Sequence, residues 1–176
     1  DMIIPRGTAG AARDNAINLG AASHRFKDLY LSGGAYVGGT GSANHLDDYE
    51  EGTFTVTLAS DSGGSLPTFA NTGYYVKVGK IVHIHAQVTI SGSSSGGSNL
   101  HIVLPFTVTD TRGALAVGLN QPLSMATNGE YLSIVVEINS AKGYVVSHAF
   151  GGGHSHIDFN QCGTGIFSFS GSYRVA

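Results

Sequence analysis

Four of the eight histidines stand as two His-x-His pairs, His83-Ile84-His85 and His154-Ser155-His156. On an extended strand, residues two apart point to the same side, so each pair presents two imidazoles about 7 Å apart, both able to ligate a metal. One pair alone is an incomplete metal site, and the same residues serve equally as a polar outer face. His154 and His156 follow Gly151-Gly152-Gly153 and are expected in a loop, where binding residues gather. Tyr74, Tyr75, Tyr131 and Tyr144 fall near expected strand ends. An aromatic face offers apolar area and its hydroxyl a polar handle, which suits stacking on sugar rings as well as it suits packing. The candidate receptor-binding residues are Tyr74, Tyr75, Tyr131, Tyr144, His154 and His156; the candidate metal ligands are His83, His85, His154 and His156.

The acidic run Asp47, Asp48, Glu50 and Glu51 contains carboxylates, the groups of glycoside hydrolysis, but nothing in its sequence holds two of them at a set separation. A structural role is expected, with Arg25 and Lys27 of a neighbouring copy or a bound cation offsetting the repulsion. No nucleophile elbow, phosphate loop or HExxH is present. Ser155, His156 and Asp158 lie too close along an extended chain to be read as a triad, because adjacent residues alternate sides. No catalytic residue is assigned and the chain is expected not to be an enzyme. Cys162 is the single cysteine, so no intrachain disulfide or zinc ribbon is possible, and it reads as a small buried hydrophobe.

These residues must be positioned by strands. From Thr53, Phe54, Val56 and Leu58 alternate with threonines, the pattern of a strand with one face on a core. Gly73 to Val78 and Ile81 to Ile90 flank Gly79-Lys80, the strongest hairpin signal in the chain. In the second of these, Val82, Ile84, Ala86, Val88 and Ile90 share one face, and His83, His85, Gln87 and Thr89 the other. Leu100 to Val108 carries Pro105 and is expected at an edge or bulge. Further strands are read at 114–119, 131–138, 143–150 and 165–175. The fold class is all-β, a β-sandwich or jelly-roll head over 52–176. Residues 1–51 are an extended neck and collar with β-prone pieces at Arg25 to Leu31 and Ala35 to Val37. A short helix is expected from Ser42 or Asn44 through Glu51.

Composition bounds the rest. Charged residues are 12% of the chain, against a usual share of about 25%, while 26 of the 176 residues are glycine. That combination argues against disorder and for many turns. A net charge of −3 with scattered Lys and Arg leaves no basic stripe, so nucleic acid is not an expected partner. No apolar run approaches the roughly 20 residues of a membrane span, no signal peptide is read, and membrane insertion is not expected. The start at Asp1 reads as that of a fragment or processed product.

The stretch INLG-x-x-S-x-RFKDLYLSGG, followed by GTGSANHLDDYEEGTFT, resembles the distal, C-terminal receptor-binding region of tailed-bacteriophage tail fibres, and the ending FSGSYRVA fits the same resemblance. It implies a trimeric β-structured head at the tip of a tail fibre in the virion. The implied function is recognition of and adhesion to the host cell, with bacterial surface polysaccharide, lipopolysaccharide or an outer-membrane protein as receptor. On a threefold axis a His-x-His pair becomes six nitrogens, enough for octahedral coordination of a transition metal such as iron, as some tail fibres use it. Two other readings stay open: a fragment of a glycan-cleaving tailspike enzyme, and a purely structural trimerisation or capping domain. The loops 60–70, 91–99, 120–130 and 151–161 are the candidate binding surface.

Overall fold

The computed structural model describes residues 2–64, 71–92, 95–121, 131–148 and 152–176. The chain forms two compact units, Asp1–Ala35 and Tyr36–Ala176. In the first, local turns dominate: a 3-10 turn at Thr8–Gly10 is clasped by an Arg6↔Ala12 bridge, and Ala21 and His24 form a second bridge. The β-prone piece Arg25 to Leu31 forms no strand. Its Phe26, Leu29, Tyr30 and Leu31 stay exposed, because so short a unit offers no interior to bury them.

At the start of the second unit, Tyr36 of β1 (Ala35–Tyr36) stacks on His45 of its partner strand β2 (His45–Leu46) at 4.5 Å. The helix expected through Glu51 is absent. Only a 3-10 turn forms, at Ser42–Asn44, and the acidic run enters β3 (Tyr49–Ala59). Helix propensity loses here to strand pairing, Tyr49↔Val78 through Val56↔Asn71, with β4 (Asn71–Val78). The residue 51/52 boundary drawn from the sequence falls inside β3. The acidic side chains find partners within the chain. Asp48 pairs with Lys77, Asp47 lies 3.4 Å from His45, and Glu50 and Glu51 accept from the Tyr75 and Tyr49 hydroxyls.

The remaining strands are β5 (Ile81–Ile90), β6 (His101–Val108), β7 (Gly113–Gln121), β8 (Tyr131–Val136), β9 (Ser140–His148), β10 (His154–His156) and β11 (Gly165–Arg174). The β4–β5 hairpin turns on Gly79-Lys80 as expected, with positive φ (+54°) at Gly79, the first turn position. Pairing runs β9-β6-β3-β4-β5-β11-β7-β8, and β8 returns to β9 over Tyr131↔His148 to Val136↔Gly143. This return closes an eight-stranded barrel. The expected sandwich or jelly roll is therefore corrected: both arrangements ask for strands with one buried face, and only the edge pairing of β8 distinguishes them.

The inward residues are those the alternation predicts. Val82, Ile84, Ala86, Val88 and Ile90 from β5 meet Phe167, Phe169 and Tyr173 from β11, which pairs with β5 from Gly165↔Ile90 to Arg174↔Ile81. Ile102, Ile134, Val136 and Val145 complete the opposite wall. Cys162 is buried among them, and burial raises its thiol pKa to about 11, so it is an inert apolar filler. Pro105 sits where the β6–β9 register shifts, as a residue without an N–H requires. Gly143 of β9 lies between two isoleucines. An added Cβ would stand 2.7 Å from Ile134 Cγ2 and 3.0 Å from Ile102 Cγ1, and both isoleucines are fully buried. Gly143→Ala is expected to overpack this wall and cost about 1–3 kcal/mol. Urea unfolding checks this: the midpoint should fall with the slope unchanged.

Candidate functional site

Strand β9 presents Val145 to the barrel interior and Tyr144, Val146 and His148 to the outside. Opposed residues of antiparallel strands share a face, so the register fixes what stands beside each. Tyr131 of β8 and His154 of β10 flank His148; Ser133 and His156 flank Val146; Val135 and His101 of β6 flank Tyr144. β10 can take part because β6 occupies β9's outer edge only as far as Tyr144. The edge over residues 146–148 is left for β10. His154 and His156, expected in a loop, are thus on a strand, and their side chains point the same way.

The rings form one continuous run. Tyr131 lies flat on His148 (4.7 Å, 7° between planes), His148 is 5.9 Å from His154, and His154 is 6.3 Å from His156. His156 is 4.9 Å from Tyr144, which His101 meets edge-on at 5.5 Å. Tyr131 is 68% exposed and His101 only 5%, so the run passes from open surface to an anchored end. Val146 is fully buried. Ser133 fixes the His148 ring through a 2.7 Å contact to Nε2. From Tyr144 to His148 the strand advances four residues, about 14 Å.

Asp61, from the loop after β3, organises the anchored end. Its carboxylate accepts from Lys142 Nζ (2.7 Å), the Tyr144 hydroxyl (3.1 Å) and Asn99 Nδ2 (3.1 Å), and lies 3.6 Å from His101 Nδ1. Its own amide donates to the Ser98 carbonyl, which joins this loop to the one before β6. Burial pushes the Asp61 pKa up, but the hydrogen bonds from Lys142, Asn99 and Tyr144 outweigh it and hold the carboxyl below 3.8. The Asp61 bond raises Lys142, and burial together with the same bond raises Tyr144. For His101, burial and the charge of Lys142 outweigh the Asn99 carbonyl and Asp61, leaving its pKa below 6.5.

The structure brings together four of the six receptor candidates: Tyr131, Tyr144, His154 and His156. Tyr74 lies apart, exposed on the outer face of β4 opposite His85. Tyr75 packs over Gly52 and edge-on to Phe106, with its hydroxyl on Glu50. His83 and His85 point outward from β5, and His83 contacts the Ser172 hydroxyl at 3.1 Å. Among the described residues no group of three or more His, Cys, Asp or Glu side chains is placed to hold a metal within one chain. His148, His101 and Asp61 were not singled out from the sequence. The i, i+2, i+4 spacing of Tyr144, Val146 and His148 carried the signal for the first; nothing local signalled the other two. Of the candidate loops, residues 65–70, 93–94, 122–130 and 151 lie outside the described residues.

Both shifts make acid destabilising. A carboxyl held below its unfolded value stabilises the fold above about pH 4, and this is lost as pH falls through the folded pKa. A histidine held below its unfolded value leaves the folded state short of a proton, so stability falls as pH drops below 6.5. Thermal unfolding from pH 8 to pH 3 is expected to show this. His101→Phe should flatten the slope below pH 6.5, and Asp61→Asn should lower the midpoint at pH 7 but converge on the wild type in strong acid.

No family model and no curated protein sequence matches the chain. Among solved structures it is similar to the Dettilon tailspike protein (gp208), with a TM-score of 0.59 and 21% identity. The match covers 72% of this chain and 24% of the tailspike, so the chain spans about a quarter of that protein's length. The expectation of a chain without enzymatic activity does not stand, because the neighbour belongs to the class set against a fibre tip as the glycan-cleaving alternative. At the level this comparison carries, the chain has the fold of part of a phage tailspike protein.

Proposed function

We propose that this chain is a host-attachment module of a phage tail, working as a homotrimer that holds a bacterial surface glycan, either capsular polysaccharide or lipopolysaccharide, on the ring-lined face of β8, β9 and β10. The observation that carries the reading is the continuous run from Tyr131 to His101. Flat rings meet the apolar faces of sugars, and imidazole and phenol edges supply donors and acceptors for the hydroxyls. One such face binds weakly; three on one rigid body gain affinity through effective concentration.

The exposed apolar side chains support the trimer. Among the described residues, the large ones left exposed fall almost entirely within residues 2–81, in the first unit, around β1 and β2, and on the outer face of β3, β4 and β5, where Tyr49, Val78 and Ile81 form one row. Outside that span, Val103 and Tyr131 are the large apolar side chains exposed among the described residues. So uneven a distribution is what burial against other copies of the chain requires.

Glycan cleavage is a second reading, favoured by the tailspike likeness. Asp61 is a carboxylate at the ring face, and its oxygens already accept from Lys142, Tyr144 and Asn99. Release of reducing ends from surface polysaccharide would select this reading.

Purified protein titrated with a panel of bacterial capsular polysaccharides and lipopolysaccharides is expected to bind at least one. Tyr131→Ala and His156→Ala should each weaken that binding about tenfold or more with thermal stability retained. Variants that bind as the wild type does would place the receptor site elsewhere. Light scattering should give the mass of three chains; a single-chain mass would remove the avidity argument.

A further inference from the structure

Among the described residues, strands β7 and β8 pair from Gly113↔Val136 to Ala116↔Ser133. Beyond that point β7 stays with β11, while Tyr131 and Leu132 stay with β9. The barrel wall therefore parts, and a cleft of about 550 Å³ opens between residues 114–117 and 131–133. Its chemistry differs from that of the ring face. Leu115, Val117 and Leu132 contribute alkyl groups, Ala114 and Ala116 keep the outer lip low, and the Ser133 hydroxyl is already engaged by His148. Among the described residues the β7–β8 ladder ends at Ala116↔Ser133, so at the open end of the cleft the alkyl side chains stand beside main chain of Val117 and of Tyr131–Leu132 that is not laddered across the gap. Tyr131 lines the cleft and also begins the ring run, which makes the two continuous.

We infer that this cleft is a specificity subsite for an acetamido group, so that the glycan held on the ring face carries a 2-acetamido sugar stacked at Tyr131. The inference rests on the glycan-binding reading above. An acetamido substituent matches both halves of the lining. Its methyl enters the alkyl part, and its amide N–H and carbonyl stand where a neighbouring strand's peptide group would. A hydroxyl at the same position would fill neither.

The test compares two β1–4-linked trisaccharides that differ only in this group, the N-acetylglucosamine trimer and the glucose trimer, titrated into the full chain by ligand-observed NMR. The wild type should bind the acetamido trimer about fourfold or more tighter, the factor expected for burying one methyl. Ala116→Gln, which fills the cleft from its exposed lip, should bring the acetamido trimer down to the level of the glucose trimer. Ala114→Gln on the neighbouring lip serves as a second variant should the first fold poorly. Equal binding of the two trimers by the wild type would overturn the subsite while leaving the ring face standing. Preference retained in a folded Ala116→Gln chain would overturn it too. If the variant loses thermal stability with its preference unchanged, the cleft is filled by the protein itself and the inference falls. Binding of neither trimer by the wild type, with Tyr131→Ala still holding polysaccharide, would sink the ring face and the subsite together.

Discussion

The double use of β9 is the constraint on which this barrel and its outer face depend. One edge takes β8 and thereby closes the sheet on itself; the other takes β6 for its first half and β10 for its second. Closure leaves no open first and last strand, which is how a small all-β protein avoids edge-to-edge association. The same pairings decide which outward side chains become neighbours. Tyr131, His154, His156 and His101 come from three strands, of which β6 is distant in sequence, and each is held against Tyr144 or His148 of β9. The event that completes the core also assembles the ring face.

Inside and outside are separated by the strand period. Val145 belongs to the core and Val146, its neighbour, to the outer face. Packing inside is tight enough that glycine is the residue that fits at several points. Phe54 covers Gly73 and Tyr75 covers Gly52 across the β3–β4 pair, so each ring fills the space that its partner's missing side chain leaves. The outer face carries polar rings, and changes there remove little core. Side chains there can therefore vary while the barrel stays intact, as expected where function sits on a scaffold.

Asp61 links these two levels. It is a loop residue, yet its bonds to Lys142, Tyr144 and Asn99 tie the loop after β3 and the segment before β6 to β9. Loops that carry function need such anchors, because their backbone lacks ladder bonds. The cost is a network tuned to neutral pH, with His101 kept short of its proton by the same enclosure.

Much of the barrel was legible in the chain. The alternation of Phe54, Val56 and Leu58, the five inward residues of β5, the Gly79-Lys80 hairpin and the Pro105 irregularity all appear where local pattern placed them, because side-chain period and turn chemistry are local properties. What local pattern cannot contain is the identity of the partner strand. The choice of barrel over sandwich, the pairing of β10 beside β9, and the conversion of the acidic run from expected helix to strand each depend on which strand pairs with which, including β6 with β9 and β11 with β5, which lie far apart in sequence. The same holds for the site. Tyr131, Tyr144, His154 and His156 stood out by residue type, but their convergence with His148, His101 and Asp61 is a matter of register. The sequence by itself determined which faces are apolar and which carry rings. Only the tertiary structure decided which rings meet, because a strand specifies its own two faces but not what lies across its edges.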